Sequence, residues 1–403
     1  MNSALLFACA GCACAVIFFR AAGLRVYEFY FALAASILVS VFAFLNMPAP
    51  AALCTALFCG AAFIYYSLPR GNDAGFVKHA SAAAAVVLLA FLLSGCGNGP
   101  VIMPVIKEEI RLGFVPSALA VSSKDELYIG NERAAHVVVY NYREKKEIKK
   151  IRCGNAPSDI VISGDMVYIT GRLDNTLTVY NSLTGESSVI NVQGRSPSAV
   201  AVSGDRLKAY TANSGGSSVS VIDLEAGKAA GTIETGRWPS DVLLSPDGRK
   251  LYVACKYTNT IQVIDAERQR NLFTKIETGV SPVKLLQLNK RIVAVIHEWE
   301  YSFNNKSSMI LFDTENYTVV SSIVTDGGIF DGALSKSKKY IYLSVPLKDR
   351  VIFIDAAGKD KKAEIFIKNS TPKALALSKN GQLLFAASQG SKRITVIKVN
   401  DLI

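Results

Sequence analysis

Histidine, tryptophan and, over one long stretch, charge are what this sequence has least of. Its 403 residues hold three histidines and two tryptophans. With His79, His136 and His297 so far apart, no metal site can rest on imidazoles alone, and carboxylates would have to complete one. After residue 96 there is no Gly-x-Ser-x-Gly, no pair of Cys-x-x-Cys motifs and no phosphate loop, which leaves no standard nucleophile or nucleotide signature. Residues 1–96 contain six charged side chains, leaving 40 basic and 31 acidic residues for the remainder, a net of +9. The first quarter therefore cannot make an ordinary water-facing surface, whereas the rest has the composition of a soluble, basic domain. Six of the eight cysteines fall in that first quarter, and only Cys153 and Cys255 follow it, which excludes a disulfide scaffold. Cys9, Cys12 and Cys14 lie in an uncharged, Ala-rich run and are read as packing residues.

What is there begins with apolar runs at 4–19, 29–47, 49–68 and 80–93. An α-helix needs about 17–25 residues to cross hydrocarbon, so the middle two are long enough and the outer two are marginal. Arg20, Arg25, Arg70 and Lys78 flank them in a pattern that predicts residues after 96 to lie outside the cytoplasm. Residues 77–96 keep two readings open. Leu93-Ser94-Gly95-Cys96 resembles a bacterial lipobox, with Lys78 and His79 as the charged start and 80–93 as the apolar core of a signal peptide, making Cys96 the site of lipid attachment. The other reading is a fourth transmembrane helix. A translation start at Val77 would remove residues 1–76 from the product. Residues 97–104 follow as a tether.

From residue 105 onwards a period of about 40 residues sets the architecture. GFVPSALAV at 113, GNAPSDIVI at 154, GRSPSAVAV at 194, GRWPSDVLL at 236 and GVSPVKLLQ at 279 recur, with weaker copies at 327 and 370. Each is followed by two further alternating runs, such as LYVAC then TIQVID, separated by Gly, Asp and Ser turns. Short, evenly spaced strands without helical periodicity predict an all-β, seven-bladed β-propeller over 105–403. The seventh repeat lacks a fourth strand, and VIKEEIRL at 105–112 has no other partner, so it is expected to close the ring.

LYVACKYTNTIQVIDAE and AYTANSGGSSVSVIDLEAGKAAGTIETG resemble the YVTN (Tyr-Val-Thr-Asn) repeat of bacterial and archaeal surface propellers, including the YncE-like proteins. The resemblance spans nearly all of 105–403 and weakens in the fifth and sixth repeats. That family is similar in fold to lactonase and haem-binding propellers; the repeat implies blade geometry and carries no catalytic signature.

Propeller loops that join one blade to the next, together with those joining second to third strands, emerge on one face. Arg195, Arg237, Trp238, Asp159, Asp241, Lys284, Asp331 and Lys373 are expected there, and most lysines of 145–149 and 336–362 on the other. Repeat five carries the main irregularity: His297 lies 16 residues before Asp313, where other repeats show 10, so six extra residues enter HEWEYSFNNKSS. Trp299 and Tyr301 in that insertion, with His297, Arg237, Trp238 and Asp241, form the expected ligand-binding cluster, and Arg195 and Asp159 extend it. Asp159 and Asp241 could serve as acid and base, yet capping of nearby amides is the simpler role. No catalytic residue, metal or cofactor is assigned. The expected function is a membrane-tethered binding or assembly platform in the cell envelope, with an envelope protein or small molecule as partner. Export argues against nucleic acid, although the basic balance would suit it. The alternative is a periplasmic lactonase-like or haem-binding propeller with chemistry near His297.

Overall fold

The computed structural model describes residues 104–298, 306–357 and 361–399. The expected hydrophobic segments 1–76, the signal-like stretch 77–96 with Cys96, nearly all of the tether, and Trp299 and Tyr301 lie outside these residues. Among the described residues no helix is long and apolar enough to cross a membrane.

Seven antiparallel four-stranded sheets follow one another in the chain. Each innermost strand packs against that of the next blade, and the seventh, Pro372–Leu377, against the first, Pro116–Val121, so the sheets form a closed ring. The all-β, seven-bladed propeller expected from the repeats is thus the observed fold. Its closure also matches: Val105–Arg111 pairs antiparallel with Arg393–Lys398 from Val105↔Lys398 to Arg111↔Arg393, completing blade 7. An Arg393–Glu109 ion pair at 2.7 Å pins this seam.

Why these residues make blades is clear from burial. Second strands such as Leu251 and Tyr252 in Lys250–Cys255 are covered on both faces, so they run continuously apolar and do not alternate. Tyr128, Tyr168, Tyr252 and Tyr342 recur at one position of this strand and are fully buried. Apolar clusters sit at all seven junctions between blades; Ala118, Tyr128 and Val137 of blade 1, for example, pack with Ile160, Val167 and Ile169 of blade 2. The core is therefore distributed between blades, and removing one buried aromatic would cost about 3–5 kcal/mol at its junction.

Turns repeat as faithfully as strands. Third strands of blades 1–6 end on Asn or Asp, whose carboxylate or amide oxygen accepts amides of the next turn, as when Asn181 accepts from Leu183 and Asp265 from Arg268. On the opposite face Asn175 and Asn259, both at positive φ, accept the amides of Ser196 and Ser281 in the neighbouring connection. Blade 6 departs from the pattern: its innermost strand is only Gly332–Leu334. The outer strand of blade 4 is Arg270–Glu277.

Candidate functional site

The connections between blades and the second-to-third-strand loops meet on one face, as expected. Gly215 donates its amide to the Arg195 carbonyl, Lys256 to that of Trp238, Tyr257 to that of Arg237, and Glu298 to that of Ser281. Trp238 is a bulky residue at φ 57°, a conformation that ordinarily signals strain. Ala156, Ser196, Ser281 and Thr371 occupy the same place before their prolines with the same sign of φ, so the geometry belongs to the repeat. Its effect is to hold the Trp238 ring out, 42 % exposed, against the exposed Tyr257 at 5.2 Å between centroids. Lys256 lies over the Tyr257 ring and pairs with Glu298 at 2.7 Å, which ties blade 4 to blade 5 beside Arg237.

Two neighbouring positions at the top of each innermost strand govern the axis. At the first, Ser117, Ser158, Ser198 and Ser240 each donate to the carbonyl of the next blade's proline, at 2.5–3.0 Å. Val283, Phe330 and Lys373 replace them in blades 5–7, and Lys373 Nζ stands 4.7 Å over the Phe330 ring. At the second, Asp159, Asp241 and Asp331 of blades 2, 4 and 6 accept the amides of Val200, Leu285 and Leu375 one blade on. Lys284 of blade 5 holds the same position and approaches Asp241 Oδ1 at 3.7 Å.

Lys284 thus pairs with Asp241 and feels the charges of Asp159 and Asp331. Burial pushes the Asp241 carboxyl up to about 6; Lys284 opposes this, while Asp159 and Asp331 reinforce it. Asp331 is raised for the same leading reason. Lys284 is raised above the usual lysine range, chiefly by Asp241, with burial opposing. Its side chain keeps 31 % of its surface exposed. Asp241 and Asp331 each commit one oxygen to a backbone amide, and Asp159 commits both, to the amides of Ile160 and Val200.

The expected cluster is therefore split. Arg195, Arg237 and Trp238 are exposed on the loop face; Asp241, 4 % exposed, sits beneath them on the axis, joined electrostatically to Asp159. His297, expected in the ligand-binding cluster, ends the strand Ile292–His297 opposite Pro282 and is 1 % exposed. The reason is its register: it fills the inward position that Asn131, Asn213 and Cys255 fill elsewhere. Asp159 and Asp241 were expected to cap amides of their own loops; Asp159 does accept the adjacent Ile160 amide, but both reach the next blade, to Val200 and Leu285. Sequence reasoning missed Tyr257 and the linkage of Lys284 to the aspartates. Aligning the Pro-Ser-Asp positions would have revealed Lys284 in the Asp position of blade 5.

A family model described as lactonase, seven-bladed β-propeller, matches residues 186–284. That stretch runs from the outer strand of blade 2 into blade 5 and includes Arg195, Arg237, Trp238, Asp241 and Lys284, but not Asp159, His297 or Asp331. Among solved structures, Kuenenia stuttgartiensis hydrazine synthase is similar, with a TM-score of 0.62 and 19 % identity over 73 % of this chain and 99 % of that one. At that identity the likeness is one of fold. No curated protein matches the chain. Elsewhere the described residues offer little reactive chemistry. Burial pushes the Cys153 thiol up to about 12 and that of Cys255 to about 11, so neither is a ready nucleophile. No three or more His, Cys, Asp or Glu among the described residues are grouped to hold a metal ion.

Proposed function

We propose that this chain is an exported, membrane-tethered propeller of the YVTN type whose loop face binds an envelope protein or a ring-bearing small molecule. The observation that carries the reading is the exposed Trp238–Tyr257 pair beside Arg237, on the face where the loops converge. An aromatic surface flanked by a guanidinium suits a planar or sugar-like group with an acceptor at its edge. Lipid attachment at Cys96 and a location outside the cytoplasm belong to this proposal and rest on the lipobox-like sequence. To test it, the full chain is purified from membranes and co-purifying molecules are identified by native mass spectrometry. Trp238→Ala should lose the bound species several-fold while the melting temperature stays within a degree or two; retention by the variant sinks the reading.

A second reading, lactone hydrolysis, is favoured by the family model and by the Asp241 carboxyl, which burial pushes up to about 6 beside the Lys284 ammonium. Asp241 would take a proton from water attacking the lactone carbonyl, and Lys284 would stabilise the developing oxyanion. Acid release from a lactone panel, abolished by Asp241→Asn, would establish it. No acid release from the native chain would remove it.

A further inference from the structure

The outer edges of the blades are not alike. Lys146–Arg152 of blade 1 carries five charges, the closing strand Val105–Arg111 four, and Lys361–Phe366 of blade 6 three. Charges on an edge strand are the usual protection against pairing with another chain. The outer strand of blade 5, Val319–Asp326, has eight residues and a single charge at its last position. Val320 and Val324 are more than half exposed, and Ser322 between them is exposed too. Ser187–Asn191 of blade 2 is also uncharged, but it is only five residues long.

We propose that this edge pairs with the same edge of a second copy, as an antiparallel ladder about a two-fold axis at Ser322. Side chains alternate from Ser322 to Val324, which share one face, and Val320, the extra residue of a β-bulge opposite Leu311 and Phe312, is exposed as they are. A two-fold through Ser322 sets Val320 opposite the partner's Val324, Ser322 opposite the partner's Ser322, and Val324 opposite the partner's Val320. Apolar meets apolar at two positions, and Asp326 meets the partner's Thr318, so no like charges face each other. The same operation on Lys146–Arg152 would put Lys149 against its own copy and Lys146 against Arg152, which are repulsive. In this central register the sequence permits self-pairing at the blade 5 edge and opposes it at the blade 1 edge. Two strand edges bury less than a standard stable interface, and the net charge of +11 opposes association, so the dimer is weak and forms where copies are concentrated.

The experiment uses the full chain in its membranes. Residues facing each other across an antiparallel pair have Cα separations of about 4.5–5.5 Å, within disulfide reach. Ser322→Cys should therefore give an oxidant-induced dimer at least fivefold above the native chain, with mass spectrometry mapping the link to position 322 of both copies. Ser188→Cys, on the exposed blade 2 edge, should stay at background. Adding Val320→Lys and Val324→Lys to Ser322→Cys should abolish the link, with unchanged thermal melting showing that the blade is intact. Linking at 188 equal to that at 322, persistence of the link with both lysines, or no link at 322 overturns the proposal.

Discussion

Blades 1–4 and blades 5–7 solve the same packing problem differently. In the first sector every junction has a serine hydroxyl that reaches across to the next blade's proline carbonyl. In the second, Val283, Phe330 and Lys373 carry no hydroxyl for that bond, the innermost strand of blade 6 shrinks to three residues, and blade 7 borrows its outer strand from the start of the domain. Apolar packing fills the junction between blades 5 and 6, where Ile296, Leu343 and Val345 meet. The lesson is that hydrogen bonds specify spacing in the regular sector, while packing suffices to hold the ring where side chains have been freed for other uses.

The largest expected effect comes from breaking the irregular sector at its closure. Deleting 105–111 exposes the edge of Arg393–Lys398 and removes buried Ile110, so soluble yield should collapse, or the melting temperature should fall by tens of degrees. Unchanged melting would mean that the strand is dispensable.

Next is the axial cluster, which joins the two sectors. Asp241 has a carboxyl raised on folding to about 6, so the native state holds its proton more tightly than the unfolded chain does. Its contribution is therefore complete below the unfolded value of about 4 and is lost as the pH rises to about 6. The change is on the order of 2–3 kcal/mol. Comparing urea unfolding of the native chain and Asp241→Asn across pH 4–7 isolates it. Parallel curves would show that Asp241 does not titrate there. Several exposed carboxyls, among them Asp205 and Asp247, are lowered by nearby serine hydroxyls and act in the opposite sense at lower pH, which is why the difference is the informative quantity.

A smaller effect tests the regular sector directly. Ser240→Ala removes a 2.8 Å bond to the Pro282 carbonyl and should cost about 1 kcal/mol in denaturant unfolding. Val283→Ala, at the matching position of blade 5, removes no such bond; a Ser240→Ala loss no larger than that of a surface control would discard the serine bridges. Smallest of all should be Trp238→Ala, within about 0.5 kcal/mol, because its ring is an exposed surface group. A loss of several kcal/mol would show the aromatic pair to be structural packing.

Most of the fold was legible because strand period, turn residues and the 40-residue repeat all point the same way. The missing fourth strand of repeat seven was a matter of counting, and it identified the closing segment. The site was less legible. Trp238 could be placed on a loop face, but its partner Tyr257 lies in a different loop of the same blade and shares no motif with it. His297 was misjudged since an insertion begins just after it, while its own side chain still follows the inward register of the strand. The Asp159, Asp241, Asp331 and Lys284 cluster spans four blades, and only the curvature of the closed ring brings these charges close enough to interact. Sequence shows the columns; it takes the ring to bring them together.

The closing strand also imposes an order in time. Val105–Arg111 leaves the ribosome first within the domain, yet its partner Arg393–Lys398 comes last, some 280 residues later. At about 5–20 residues per second, that is a wait of tens of seconds with a full row of backbone donors and acceptors unpaired. Lys107, Glu108, Glu109 and Arg111 keep the waiting segment solvated and unattractive to other edges. The charges that pin the finished seam and shield its edge are also what let the outermost strand arrive early and still be available at the end.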